Sequence, residues 1–176
     1  EEKGFSPDAS VVIQNGIDRD YFRPAPEKKN EYRAKYGIAP GVKLIGMASR
    51  YDPMKDFDTL FAAFASVRAV EPAARLILCG KDITSDNRAI SAMAVKYGLA
   101  DSLILAGHIG DMREFYPMLD LFVLSSRSEG FPNVLAEAAA SAVPAVSLSC
   151  GDAADIVGTE NIVPQGDASA LAKKML

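Results

Sequence analysis

The chain has 176 residues, 49% of them hydrophobic, and a net charge of −4. That is enough for one domain with a sizeable core and no metal or disulfide staples, and the acidic balance excludes the basic stripe of a nucleic-acid binder. Its 2 cysteines and 1 histidine make neither a disulfide framework nor a Cys/His metal cluster, and no apolar run reaches the roughly 18 residues of a membrane span.

The N-terminal stretch "EEKGFSPDAS" lacks a starting Met and shows no signal peptide. It reads as the edge of a piece of a longer protein, in a reducing, cytoplasmic setting. Arg23 to Gly37, "RPAPEKKNEYRAKYG", is polar and opens on prolines, so it reads as a surface connection with one short helix. "KLIGMAS" (Lys43 to Ser49) is the first buried strand. In "DFDTLFAAFASVRAV" (Asp56 to Val70), Phe57, Leu60, Phe61, Phe64 and Val67 recur at helical spacing. "RLILCG" (Arg75 to Gly80) is a second strand, with Cys79 as a small buried residue. A helix follows over Asp86 to Gly98, stopped by Gly98. "SLILAG" (Ser102 to Gly107) is a third strand, and the lone His108 after it faces solvent. "DMREFYPML" (Asp111 to Leu119) reads as a short helix disturbed by Pro117.

"LDLFVLSS" (Leu119 to Ser126) is the fourth strand. "NVLAEAAASA" (Asn133 to Ala142) is a helix whose alanines let it lie close to a sheet. "PAVSLS" (Pro144 to Ser149) is a fifth strand and "NIVPQ" (Asn161 to Gln165) a short sixth. A last helix starts at Asp167, its cap. Strand–helix alternation implies right-handed βαβ units, and strands apolar throughout imply a sheet covered on both faces. The expected fold is α/β: a doubly wound, Rossmann-like, mostly parallel six-stranded sheet with helices on both faces.

In the common doubly wound order 3-2-1-4-5-6 the strand order reverses between strands 1 and 4, and ligands bind outside the carboxyl ends of the strands there. The two facing loops are then "SRYDPMKD" (Ser49 to Asp56), which carries Arg50 and Lys55, and "RSEGFPN" (Arg127 to Asn133), which opens a helix. Two cations beside a glycine loop at a helix N-terminus outline a phosphate site. Glu129 and Glu137 suit sugar hydroxyls instead, which donate to a carboxylate. A nucleotide-sugar has both parts. The segment "GKDITSDN" is not a Walker loop, and no G-x-G-x-x-G opens the first helix.

On these residues the chain resembles the C-terminal domain of the family-4 retaining glycosyltransferases, which have the GT-B fold. "SEGFPNVLAEAAASAVPAV" carries the E-x7-E signature as Glu129 and Glu137. "VVIQNGIDRDYFRP" (Val11 to Pro24) is similar to the family's domain-junction segment. "ASRYDPMKDFDTLFAAF" (Ala48 to Phe64) is similar to its "GR…K" element, with Arg50 and Lys55 in register. The resemblance implies that residues 1–24 are an interdomain junction and residues 25–176 a nucleotide-sugar-binding domain. The acceptor domain and the end of the C-terminal helix would lie outside the chain.

The resemblance further implies that Arg50 and Lys55 hold the donor diphosphate, and that Glu129 contacts donor-sugar hydroxyls and Glu137 the ribose. The backbone of Gly130, Phe131, Pro132, Asn133 and Val134 would approach the phosphates, and Gly80 and Ile109 would border the base. No metal is required. The partners implied are a nucleotide-sugar donor and, through the missing half, an acceptor glycan, lipid or small molecule. Any peripheral membrane association would also run through that half, and the isolated piece would be inactive.

Three departures stand out. Asp56 replaces the glycine that commonly follows the lysine, adding a negative charge near the diphosphate. Ala142 replaces a glycine at a helix end, and "GDAAD" (Gly151 to Asp155) stands where "GG..E" is usual. Ordinary readings run beside the functional ones. Glu137 could be a helix-surface acid, Glu129 a dipole-favouring residue, Arg50 and Lys55 a solvated loop pair, and Asn133 a cap or first-turn residue. Rival functions are another GT-B enzyme, such as a nucleotide-sugar epimerase, and a non-catalytic binding module.

Overall fold

The computed structural model describes residues 11, 13 and 15–176. The first part of the expected junction segment therefore lies outside the described residues. Six strands form one sheet: β1 (Leu44–Ala48), β2 (Arg75–Cys79), β3 (Leu103–Leu105), β4 (Leu121–Leu124), β5 (Ala145–Leu148) and β6 (Ile162–Val163). Their order is β3-β2-β1-β4-β5-β6, as the alternation of apolar runs implies. Every pairing is parallel, so the sheet is fully rather than mostly parallel. In register, Ile45 lies beside both Leu76 and Leu121, which makes β1 central.

Successive strand residues point to opposite faces, and each face has its own core. Ile45, Met47, Leu76, Leu78 and Val123 meet Phe57, Leu60, Phe61 and Phe64 of helix α2 (Phe57–Val70). Helix α3 (Arg88–Lys96) and helix α6 (Ala168–Met175) complete that layer through Ile90 and Leu171. On the other face Leu44, Ile77, Phe122 and Leu124 meet Leu135 and Ala138 of helix α4 (Asn133–Ala140), together with Phe115, Tyr116 and Met118. Each buried Leu or Phe contributes about 1.5–3 kcal/mol, so these two layers hold the sheet edges in place.

Caps follow the sequence signals at several ends. Asn87 accepts from the amides of Ala89 and Ile90 and starts α3. Asp167 accepts from the Ala170 amide at 2.8 Å and starts α6.

Two expectations are corrected, and one further element had not been expected. Asp111 to Leu119 is not one helix but two 3-10 turns, Met112–Glu114 and Tyr116–Met118. Pro117 has no N–H to extend a helix, and Asp111 caps the first turn by accepting from the Arg113 amide. A short helix α5 (Ala153–Val157) was not legible, because its five residues lie between Gly151 and Gly158 and are too few to show a period. The polar connection contains helix α1 (Lys29–Ala34), but this is no simple surface piece. Arg33 is buried and donates to the carbonyls of Met118 and Val42 and to Asp120.

Candidate functional site

The loops after β1 and β4 meet at the carboxyl edge of the sheet, at the switch point. The first runs through a 3-10 turn, Pro53–Lys55, started by Asp52, whose side chain accepts from the Met54 amide at 2.9 Å. That amide holds the Asp52 carboxyl below the usual carboxylate range, and Arg50 adds to the effect. The two loops are sewn together. The Arg127 amide donates to the Met54 carbonyl at 2.8 Å, and the Ser125 hydroxyl donates to the Lys55 carbonyl at 2.7 Å.

This stitching brings Lys55 onto Glu129. The Lys55 ammonium lies 2.5 Å from Glu129 Oε1, with side chains only 16% and 18% exposed. A pair this desolvated is weak evidence for stability. It is strong evidence that the two residues share one site, as the order of the strands implies. Arg50 stands apart, mostly exposed, with its guanidinium 3.2 Å from Asp52.

Asp56 does not add a free charge to this site. It is buried, takes the left-handed conformation (φ 48°) and caps α2 by accepting from the Thr59 amide and hydroxyl. The Arg127 guanidinium pairs with it at 3.1 Å. The expected extra negative charge near the diphosphate is therefore neutralised by Arg127 and by the positive end of α2.

Pro132 is the residue before α4, and its carbonyl accepts from the amides of Leu135 and Ala136. As a proline it offers no N–H, which corrects its place among the expected phosphate donors: it sets the helix start instead. Asn133 is exposed and is the first helical residue, so of its two ordinary readings, cap or first-turn residue, the second holds. The amides of Gly130, Phe131, Asn133 and Val134 have no protein acceptor among the described residues. They are free donors at a positive helix end. Phe131 is half-buried, and Val134 packs on the α4-side core.

The Glu129–Gly130 turn is braced from behind by the loop after β5. A Cβ at Gly151 (φ +44°) would lie 2.0 Å from the Gly130 carbonyl oxygen, so only glycine fits there. The Asp152 amide donates to that same carbonyl. Gln165 reaches in from beyond β6 and donates to the carbonyls of Arg127 and Ser149.

Glu137 sits one turn along α4, half-buried, and its Oε2 accepts from the Tyr116 hydroxyl at 2.5 Å. Burial, reinforced by the Glu137 carboxylate, pushes the Tyr116 phenol far above its usual range. Burial raises the Cys79 thiol to about 12, so it is no nucleophile.

Gly80 (φ +135°) leaves β2 so close to the Ser49 carbonyl that a Cβ would sit 2.0 Å from its oxygen. It therefore fixes how the exits of β1 and β2 lie together. Ile109 is half-buried against the α4-side core, and His108 is exposed. The segment before α1 touches this region too. Asn15 Nδ2 donates to Asn133 Oδ1 at 3.3 Å, and the Phe22 ring meets Tyr116 edge-on at 5.9 Å.

Sequence reasoning missed Tyr116, Ser125, Arg127 and Gln165 as parts of this site. Their partners are distant in the chain, and the only available signal was Gly151 in "GDAAD". No helix among the described residues is long and apolar enough to cross a membrane.

The family described as "Glycosyl transferases group 1" matches residues 28–176. A D-inositol 3-phosphate glycosyltransferase of Segniliparus rotundus is 32% identical over 149 residues, covering 82% of this chain and 33% of the relative. The lipopolysaccharide core biosynthesis mannosyltransferase LpsB of Rhizobium meliloti is 30% identical over 152 residues, 84% of this chain and 43% of the relative. The chain thus spans less than half the length of these curated relatives. Among solved structures, Anabaena Alr3699/HepE in complex with UDP-glucose matches with a TM-score of 0.87 at 23% identity, over 98% of this chain and 48% of that one. The C-terminal domain of a group 1 family protein (LpcC) from Francisella tularensis matches with a TM-score of 0.72 at 21% identity, over 91% and 86%. At these identities the structural likeness shows the fold.

Proposed function

This chain belongs to the group 1 glycosyl transferases, and from that premise we propose that it is the donor-binding half of a retaining glycosyltransferase. The proposed reaction moves a sugar from a nucleotide-diphosphate sugar to an acceptor hydroxyl in glycan, polysaccharide or glycolipid synthesis. The acceptor, whether glycan, lipid or small molecule, would be supplied through a facing domain. One observation carries this reading: Lys55 of the β1 loop and Glu129 of the β4 loop meet at 2.5 Å, beside the free amides that open α4.

Each group has a task in this reading. Lys55 uses one of its three N–H donors on Glu129 and keeps two for phosphate oxygens. Arg50, exposed at the rim, closes on the diphosphate from the solvent side. The amides of Gly130, Phe131, Asn133 and Val134 add fixed dipoles. Together they stabilise the charge that develops on the leaving diphosphate, the largest single contribution in this type of chemistry. Donor binding is read as metal-independent, with these cations in the metal's place. Glu129 accepts from donor-sugar hydroxyls while Lys55 holds it in position. Glu137 accepts from the ribose. Gly80 and Ile109, on the loops after β2 and β3, border the base. That the relative Alr3699/HepE is described with bound UDP-glucose supports a nucleotide-sugar as the ligand class.

Calorimetry on Lys55→Ala tests the reading. The variant is expected to bind a nucleoside diphosphate at least tenfold more weakly, the loss of a hydrogen-bonded charge contact of about 1.5–3 kcal/mol. Its affinity for the free nucleoside, which has no phosphate, is expected to stay unchanged. Equal losses for both ligands would remove Lys55 from the diphosphate.

A further inference from the structure

We propose that Tyr116 is the positioning residue for Glu137, a buried phenol whose hydrogen bond holds one carboxylate oxygen so that the other faces the ribose of a bound nucleotide. The inference rests on the ribose reading of Glu137 given above.

The geometry is one-sided. Tyr116 is fully buried, and its hydroxyl donates to Glu137 Oε2 at 2.5 Å. Its ring cannot swing away. Phe22, Phe115 and Phe122 meet it edge-on, with centroids 5.9, 5.7 and 5.8 Å away. Glu137 Oε1, by contrast, has no protein donor among the described residues. A glutamate on a helix surface has three rotatable bonds and must lose that freedom when it grips a ligand. One already tethered through Oε2 has lost most of it before the ligand arrives. Because burial keeps the phenol protonated, Tyr116 remains the donor in this bond. An acceptor-only oxygen presented at a fixed angle suits vicinal hydroxyls, which are donors.

The aromatic contacts also extend the tether outward. Phe22 lies in the segment before α1, so the ring that fixes Glu137 is itself wedged by that segment.

A buried tyrosine also needs a hydrogen-bond partner for purely structural reasons, and the test separates the two roles. Tyr116→Phe keeps the ring and removes only the hydroxyl. Binding of UDP and GDP, and of their 2′,3′-dideoxy counterparts, is measured by calorimetry on wild type and variant. The expected result is a loss of about tenfold for the ribonucleotides and none for the dideoxy forms. An equal loss for both would overturn the positioning role. If wild type itself does not prefer ribonucleotides over dideoxy forms, the ribose reading of Glu137 fails instead. Carbon relaxation of the Glu137 side chain, measured without ligand, decides the tether independently of any nucleotide. Tyr116→Phe is expected to make that side chain mobile, and an equally ordered Glu137 in the variant would contradict the proposal.

Discussion

Ala142 and Asp56 both hold a positive φ, 56° and 48°, at positions where the family resemblance leads one to expect glycine. The left-handed region costs a non-glycine residue roughly 1–2 kcal/mol. Ala142 is exposed and makes no side-chain hydrogen bond, so nothing offsets that cost. Ala142→Gly is expected to stabilise the protein by about 0.5–1 kcal/mol, after subtracting the extra freedom glycine has when unfolded. In thermal unfolding that is about 1–4 °C at this chain length. Asp56→Gly is expected to give no such gain. It relieves the same strain but loses the side-chain cap on α2, worth a few tenths of a kcal/mol against glycine, and takes the carboxylate away from the Thr59 hydroxyl and from Arg127. A gain of equal size at both positions would show that the Asp56 contacts contribute nothing. The departures from the family pattern were legible in the sequence, but their meaning was not. The partner of Asp56 is Arg127, three strands further along the chain, and only the folded sheet brings them together.

The element with the least legible role is α1. Its Arg33 side chain is 3% exposed and bonds Asp120 at 2.7 Å, just before β4, while Asp120 also accepts from the Leu44 amide at 2.7 Å where β1 begins. One carboxylate therefore ties α1 to the two central strands. Burial opposes its ionisation, but Lys29, the Leu44 amide and Arg33 outweigh it and hold the carboxyl below the usual range. Because the folded value is depressed, this stabilisation is complete above the ordinary carboxylate value of about 3.9 and is lost as pH falls through the folded one. Asp120→Ala is expected to lose about 3 kcal/mol at pH 7, since it strands the buried Arg33, and to lose much less near pH 3. Urea unfolding at the two pH values checks this, and an equal loss at both would remove the charge from the explanation. The strands themselves were legible because both sheet faces are covered, so each reads as an unbroken apolar run. Arg33 was not, because a polar helix with one buried cation looks like any surface helix. The two 3-10 turns were hidden for a related reason: "DMREFYPML" carries a helical composition, and only Pro117 hints that it breaks.

At the scale of the whole molecule, the parallel sheet places the outlets of β1 and β4 side by side, and the helix layers keep them there. That much follows from strand order, and it made Lys55, Glu129 and the start of α4 legible as one site before any coordinates. The brace behind them, built from Gly151, Gln165 and Tyr116, is a property of tertiary packing and left only a faint trace in the sequence. The chain spans less than half of the relatives it matches. On the proposed reading, in which transfer needs closure against a facing domain, it is expected to bind a nucleoside diphosphate weakly by itself and not to transfer sugar. On the proposed reading the donor is held between the β1 and β4 loops. The most direct test is an NMR titration of the 176-residue chain with a nucleoside diphosphate. The amide shifts are expected to centre on Arg50, Lys55, Gly130, Phe131 and residues 133–137. Saturable shifts confined to other parts of the chain, with these residues unmoved, would contradict it.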